Sequence, residues 1–195
     1  MARPIEFFYD YVSPYSYLGN TELERVAART GAEIVYRPMF LGGVMQATGN
    51  RPPGTVVAKG AYMSRDLERW ARRYGVPMSM NPTFPQNTLG AMRGALVALD
   101  LGCFPAYHRA MFQAMWRDGV NLADEAAYRA VLEAAGVDAE RLCTLRNDQA
   151  VKDRLKANTD EAIARGAFGA PSFFVGDELF FGNDRLDFVA EAVGR

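Results

Sequence analysis

The residues whose chemistry stands out first are two serines that flank a short turn, in the stretch Ser13-Pro14-Tyr15-Ser16. Serine is a preferred N-cap residue and proline is favoured at the first position of a helix, so a helix is predicted to begin directly after Ser13. The free N–H groups and the dipole at a helix N-terminus favour a bound anion. We therefore predict that the Ser13 hydroxyl lies beside an anion-binding position.

This turn resembles the one that carries Cys-x-x-Cys in thiol–disulfide oxidoreductases of the thioredoxin type. The spacing is kept here, but serine occupies both positions. A second thioredoxin-like feature is the stretch Gly169–Val175, in which Pro171 follows a small residue at the start of a strand. The resemblance implies a cis Ala170–Pro171 bond beside the N-terminus of the first helix, since cis bonds are essentially a proline feature.

The elements that must position these residues follow from hydrophobic periodicity. A βαβ unit is predicted over residues 4–38, an irregular segment over 39–60, a mostly helical block over 61–165 and a ββα unit over 171–195. Strands are predicted at Ile5–Tyr9, Glu33–Arg37, Ser172–Val175 and Glu178–Phe181, and the first helix over about Pro14–Arg29.

This order predicts an α/β protein with a thioredoxin-like fold and an inserted all-helical domain, as in DsbA-like proteins. The thioredoxin-like domain is predicted to be discontinuous, formed by residues 1–40 plus 166–195, with the inserted loop and helical domain at 41–165. A right-handed parallel crossover is expected for the first unit.

Composition excludes several classes of function. The net charge of −1 gives no electrostatic footprint for nucleic acid or an anionic membrane. No apolar run is long enough for a transmembrane helix, and the first residues lack the apolar core of a signal peptide, so we expect a cytoplasmic protein. The single His108 and the scattered Cys103 and Cys143 form no zinc-ligand or redox pair, so no metal is expected.

Stretches from end to end of the chain also match one glutathione-dependent family. They are FYDYVSPYSY (8–17), GNRPPG (49–54), KGAYM (59–63), DLERWA (66–71), FGAP (168–171) and FGNDR (181–185). With these stretches the chain resembles the 2-hydroxychromene-2-carboxylate isomerases and the kappa-class glutathione transferases.

The resemblance implies a role for each matching position. Ser13 corresponds to the catalytic serine that faces the glutathione sulfur. The backbone of Ala170 is implied to pair with the cysteinyl part of glutathione, and the segment 183–185 to receive its γ-glutamyl end. The implied glutathione-binding residues are Asn50, Lys59, Ala170, Pro171, Asn183, Asp184 and Arg185.

Physical chemistry agrees with an external thiol. A free thiol has a pKa near ~8.5 and is mostly protonated at neutral pH, whereas a helix N-terminus and a donating hydroxyl favour the thiolate. A strand beside a cis-proline offers N–H and C=O groups to an extended peptide such as glutathione. Taken singly, Ser13 is better explained as an N-cap, Lys59 as a surface lysine and 183–184 as helix caps; only the joint pattern favours a site.

The leading hypothesis is therefore a glutathione-dependent 2-hydroxychromene-2-carboxylate isomerase of aromatic-hydrocarbon catabolism, acting by thiolate addition, rotation and elimination. The alternatives are a kappa-class transferase that consumes glutathione and a non-enzymatic thioredoxin-fold peptide-binding module. The expected partners are glutathione and a small aromatic substrate, and the oligomeric state is left open, a homodimer included. Cations considered for the substrate carboxylate are Arg37, Arg51 and Arg93, and aromatic side chains considered for its ring are Tyr15, Tyr62 and Phe181.

Overall fold

The computed structural model describes residues 2–194. The strands are β1 (Ile5–Tyr9), β2 (Ile34–Pro38), β3 (Ser172–Val175) and β4 (Glu178–Phe181). The helices are α1 (Pro14–Thr30), α2 (Leu41–Thr48), α3 (Val57–Tyr74), α4 (Leu89–Asp100), α5 (Phe104–Trp116), α6 (Glu125–Ala134), α7 (Ala139–Leu145), α8 (Gln149–Ala164) and α9 (Leu186–Val193), with short 3-10 turns at Pro53–Thr55 and Asn183–Arg185. None of the helices within 2–194 is long and apolar enough to span a membrane.

The four strands form one mixed sheet in the order β2-β1-β3-β4. β1 pairs with β2 in parallel and with β3 in antiparallel orientation, and β3 pairs antiparallel with β4. The sheet thus joins strands from both ends of the chain, with the helices α2 to α8 between them. The predicted thioredoxin-like fold with helices inserted after the βαβ unit is confirmed, while the division into 1–40 plus 166–195 and 41–165 stays a prediction.

The central strand β1 is buried on both faces, which explains its nearly continuous apolar sequence. Successive side chains of a strand point to opposite faces, so Phe7 and Phe8 enter different cores. Phe7 stacks on Phe173 with ring centroids 5.1 Å apart, in the core shared with α4 and α5. Phe8 packs edge-on against Phe174 in a second core with α2 and α8. Burial of both faces fixes the register of the sheet.

One expectation about the segment 39–60 is wrong. Its glycines and prolines predict an irregular segment, but it contains α2, and α3 begins at Val57 within the same segment. Two of the glycines leave room for the ring of Phe40, the residue that precedes α2: a Cβ on Gly42 would lie 2.7 Å from that ring, and one on Gly43 would lie 3.2 Å from the ring and 3.5 Å from Thr159 on α8. Glycine lowers helix propensity, so the local sequence does not show a helix that tertiary packing stabilises.

His108 is a buried side chain whose neutral form is specified by its partners. It is 4% exposed and lies among aromatic rings, with Nε2 2.9 Å from Asn20 Oδ1 and Nδ1 3.0 Å from the Tyr11 hydroxyl. The amide group of Asn20 donates to Glu24, so its oxygen faces the imidazole and accepts from Nε2–H. Nδ1 then accepts from Tyr11. Burial lowers the pKa of His108 from 6.5 to about 3.

This burial predicts a loss of stability in mild acid. Below pH 6.5 the unfolded chain binds a proton at His108 that the folded chain does not, so the stability contributed by the neutral imidazole is lost as the pH falls toward 3. We expect the free energy of unfolding to fall by up to about 1.4 kcal/mol per pH unit from this group between pH 6 and 4. Urea titrations at several pH values measure the slope. His108→Gln should be less stable at pH 7 and have a shallower slope; an equal slope would contradict the prediction.

Candidate active site

Ser13 joins the two segments that the sequence predicted to converge. It caps α1 with extended dihedral angles, φ −86° and ψ 114°, and its Oγ accepts the Ser16 N–H at 3.1 Å. The same hydroxyl donates to the Ala170 carbonyl oxygen at 3.0 Å, and the Ala170–Pro171 bond is cis. The predicted convergence and the predicted cis bond are both confirmed. Ser13 therefore lies at the helix N-terminus and against the residue that precedes the cis-proline.

The first turn of α1 leaves few donors for a ligand. Pro14 has no N–H, and the Ser16 N–H donates to the Ser13 hydroxyl. Of the first three residues of α1, only Tyr15 therefore has a backbone N–H that is not bonded to a capping side chain. The Ser16 hydroxyl is fully buried and has no hydrogen-bond partner within residues 2–194. An anion beside Ser13 would thus meet one hydroxyl, one backbone N–H and the positive end of the helix dipole.

A cavity of about 340 Å³ opens beside this turn, lined by Tyr15, Pro53, Ala58, Lys59, Tyr62 and Met63. Asp66 fixes two of the lining side chains, because its carboxylate accepts hydrogen bonds from the Tyr15 hydroxyl at 3.1 Å and from the Tyr62 hydroxyl at 3.3 Å. Burial and the nearby Asp66 carboxylate raise the pKa of Tyr15 well above its usual value of 10. Tyr15 is therefore a protonated phenol whose hydrogen is directed toward Asp66.

Asn50 and Phe181 both lie beside the backbone that leads to Ala170. The Asn50 side-chain amide donates to the Phe168 carbonyl at 2.8 Å, and its oxygen accepts the Arg51 N–H. A Cβ on Gly169 would lie 2.8 Å from the Phe181 ring, so glycine is needed for this close approach. Phe168 and Phe181 contact each other with ring centroids 4.4 Å apart, and each ring is about two-fifths exposed.

The segment 183–185 forms a 3-10 turn that precedes α9. Asn183 is 3% exposed; its carbonyl accepts from the Tyr74 hydroxyl at 2.9 Å, and its side-chain amide faces the same hydroxyl at 3.4 Å. Asp184 and Arg185 are exposed and form an ion pair at 2.7 Å. The Asp184 carboxylate is also close enough to Tyr15 to contribute to its raised pKa.

The structure thus brings most of the predicted site residues to one region. Ser13 contacts Ala170, Asn50 contacts the residue before Gly169, Lys59 lines the cavity, and Asp184 lies near Tyr15. Asn183 differs, because its side chain faces Tyr74 in the interior. Its role as a ligand through the side chain stays a prediction.

The roles of two residues, Arg37 and Asp66, do not follow from the sequence. Arg37, considered for a substrate carboxylate, is instead paired with Glu161 and lies 4.0 Å from Glu6, so the structure does not bring it to the cavity. Asp66 was not recognised as the residue that holds Tyr15 and Tyr62; its i, i+4 spacing from Tyr62 was the available signal. No group of three His, Cys, Asp or Glu side chains that could hold a metal occurs within 2–194.

Comparisons with known proteins agree with this geometry. Residues 4–194 match the family model described as DSBA-like thioredoxin domain. The chain is 37% identical to a 2-hydroxychromene-2-carboxylate isomerase of Sphingobium xenophagum, over 97% of each protein, and 31% identical to Glutathione S-transferase kappa 1 of Homo sapiens, over 100% of this chain and 92% of that protein. A solved structure of 2-hydroxychromene-2-carboxylate isomerase superposes with a TM-score of 0.88 at 32% identity, covering 98% of this chain and 94% of that one. The chain therefore belongs to the DsbA-like thioredoxin-domain family, within the group that includes 2-hydroxychromene-2-carboxylate isomerases and kappa-class glutathione transferases.

Proposed function

We propose that the protein is a cytoplasmic, glutathione-dependent isomerase that acts on 2-hydroxychromene-2-carboxylate or a close aromatic analogue in the breakdown of aromatic hydrocarbons. The observation that carries the proposal is the contact of the Ser13 hydroxyl with the Ala170 carbonyl at the N-terminus of α1. It brings together a hydroxyl donor, a helix N-terminus and the backbone segment that precedes β3. The names of the relatives with 32–37% identity support the choice of reaction.

The residues present suit glutathione as an extended, charged peptide. The Ala170 carbonyl has a second lone pair, so it can accept a peptide N–H while Ser13 still occupies the first. Lys59 is exposed in the cavity wall and suits a carboxylate of the tripeptide. Asp184 is exposed near Tyr15 and suits the α-amino group of the γ-glutamyl end. Asn50 would hold the same peptide from the side of Phe168.

Ser13 is suited to stabilise a thiolate without changing its own position. Its Oγ is fixed by the Ser16 N–H, so only the hydroxyl hydrogen needs to turn from the Ala170 carbonyl toward an incoming sulfur. Glutathione, when bound, supplies a thiolate that adds to the conjugated double bond of the substrate, allows rotation and leaves again. The chain contributes a prepositioned donor and the helix dipole, and the walls around Tyr15 and Tyr62 orient an aromatic ring.

A kappa-class glutathione transferase is the second candidate. The identity of 31% to the human kappa-class enzyme over the whole chain favours it, because Ser13, Lys59 and Asp184 would serve conjugation equally well. The two functions differ in what happens to the thiol. An isomerase returns it, whereas a transferase releases it within a conjugate.

Ser13→Ala tests the role of the hydroxyl. We expect the variant to lose most of its activity and to keep much of its glutathione affinity, because the hydroxyl acts mainly on ionisation of the sulfur. Ultraviolet absorbance of the bound thiolate against pH should give a pKa well below ~8.5 in the wild type and a higher one in the variant. An unchanged rate in Ser13→Ala would remove Ser13 from the mechanism.

Lys59→Ala and Asp184→Ala test the anchoring of the peptide. A lost charge-assisted contact typically costs about 1.5–3 kcal/mol, so each variant should bind glutathione roughly tenfold more weakly or worse in calorimetry. Lys156→Ala is a matched control, because that lysine is exposed on α8 and is paired with Asp160. Affinities equal to the wild type in both test variants would show that these residues are only surface or capping groups.

A turnover assay separates the two candidate functions. We expect conversion of 2-hydroxychromene-2-carboxylate to the open-chain benzylidenepyruvate with catalytic amounts of glutathione and no loss of free thiol. The absorbance of the substrate follows the reaction while free thiol is titrated in parallel. Stoichiometric loss of thiol, or conjugation of a chlorodinitrobenzene-type electrophile without isomerisation, would instead assign a transferase. A protein that binds no glutathione would be neither.

A further inference from the structure

Asp10 is a buried carboxylate that connects three separate segments. It is fully buried between the end of β1 and the Ser13 turn. Its Oδ1 accepts the Val12 N–H at 3.1 Å and the Thr88 hydroxyl at 2.6 Å, and its Oδ2 accepts the Leu41 N–H at 2.9 Å. These donors belong to the Ser13 turn, to the residue that precedes α4 and to the first residue of α2.

A carboxyl group in a fully buried position requires an explanation. Burial raises the pKa of Asp10, and an unpaired buried carboxylate costs stability unless it is well hydrogen-bonded. The local turn alone does not need a carboxylate, because an asparagine oxygen accepts a backbone N–H two residues on equally well. What needs a carboxylate is acceptance by both oxygens, since Leu41 approaches from the side opposite to Val12 and Thr88.

The contact with Leu41 matters because α2 leads directly to Asn50. The helix has eight residues and is followed by its C-cap Gly49, whose φ of 69° permits the chain to turn at once into Asn50. The base of α2 is also attached to α8, through the Phe40 N–H and Thr159 at 2.9 Å, but that bond does not fix α2 relative to the Ser13 turn. The Met39 N–H also donates to the Tyr9 carbonyl at 3.0 Å, and Leu41 and Val44 pack in the core that contains Ala170. Asp10 adds a direct link between α2 and the turn, because its side chain accepts the Leu41 N–H while its backbone carbonyl accepts the Ser13 N–H at 3.0 Å.

We propose that Asp10 is a positioning residue that fixes the distance between Asn50 and the Ser13 hydroxyl. One ligand can then contact Asn50 through its peptide backbone and Ser13 through its sulfur at the same time. The proposal rests on the proposed function for the identity of that ligand, glutathione. Asp10 itself touches neither the ligand nor the reacting atoms. It acts through α2 on one side and through the turn 10–13 on the other.

Asp10→Asn breaks this connection selectively. The asparagine oxygen is expected to keep the hydrogen bonds from the Val12 N–H and the Thr88 hydroxyl. The NH₂ group then faces the Leu41 N–H, and because both groups are donors, no hydrogen bond forms between them. Leu41→Pro is the second variant, because it removes the donor and keeps Asp10. Proline is tolerated at the first helical position, and Phe40 before it is already extended, with φ −93° and ψ 104°.

Each variant should weaken glutathione binding by about tenfold in calorimetry and raise the KM for glutathione more than it lowers kcat. Asn50→Ala should weaken binding as well, and Asp10→Asn combined with Asn50→Ala should be no weaker than Asn50→Ala alone. Thr88→Val is the matched control: it removes another buried bond to the same carboxylate, so it should lower stability and leave glutathione affinity within about twofold.

The outcomes separate this proposal from the proposed function. If the wild type binds glutathione and both variants bind it equally well, or if the effects of Asp10→Asn and Asn50→Ala simply add, the positioning role is wrong. If the wild type binds no glutathione, the proposed function is wrong, and amide hydrogen exchange of residues 42–50, measured without ligand, tests the connection through Asp10. Faster exchange there in both variants, but not in Thr88→Val, supports the connection; unchanged exchange overturns it.

Discussion

The hydrogen bond between the Ser13 hydroxyl and the Ala170 carbonyl is the interaction on which the candidate site depends. The pairing of β1 with β3 brings these two residues together. β1 pairs antiparallel with β3 so that Phe8 lies opposite Ser172. The residues that follow β1 and those that precede β3 therefore meet at the same end of the sheet. Because β1 and β3 are buried on both faces, this register cannot slip without moving aromatic side chains into the wrong core. The site is a consequence of strand pairing between the two ends of the chain.

The helices between the two halves hold the turn that ends in Ser13. Tyr11 is contacted from three directions: its N–H reaches the sulfur of Met92 at 3.4 Å, its carbonyl accepts from the Trp116 indole at 2.8 Å, and its hydroxyl contacts His108. The neighbouring Asp10 receives donors from the first residue of α2 and from Thr88, which precedes α4. Each bond is modest in net free energy, but together they leave the turn little freedom. The helical block therefore contributes preorganisation to the site as well as core volume.

Sequence predicts those parts of the molecule whose signals are local. The four strands alternate or are continuously apolar, and α1 has Ser13 and Pro14 at its start and Gly31 at its end, so their bounds were predicted closely. Helix α2 was missed because its packing glycines lower local propensity. Asp10 looks like an ordinary turn residue in sequence, and its partners lie 31 and 78 positions away. The burial of Asn183 depends likewise on Tyr74, which is 109 positions distant.

The site has a buried part and an exposed part. This division helps to explain why relatives named for different reactions share one architecture. Ser13 and Ala170 are buried and hydrogen-bonded, and on the proposed function they would hold the thiol in an isomerase and in a transferase alike. The aromatic side chains around them are much more exposed: Tyr62 is 60% exposed, and Phe168 and Phe181 are 40% and 39% exposed. Substituting exposed side chains costs little stability, whereas changing Ser13 would disturb a helix cap and a strand contact together. Discrimination between electrophiles is therefore expected to reside in the exposed aromatic walls, and activation of the thiol in the buried pair of segments.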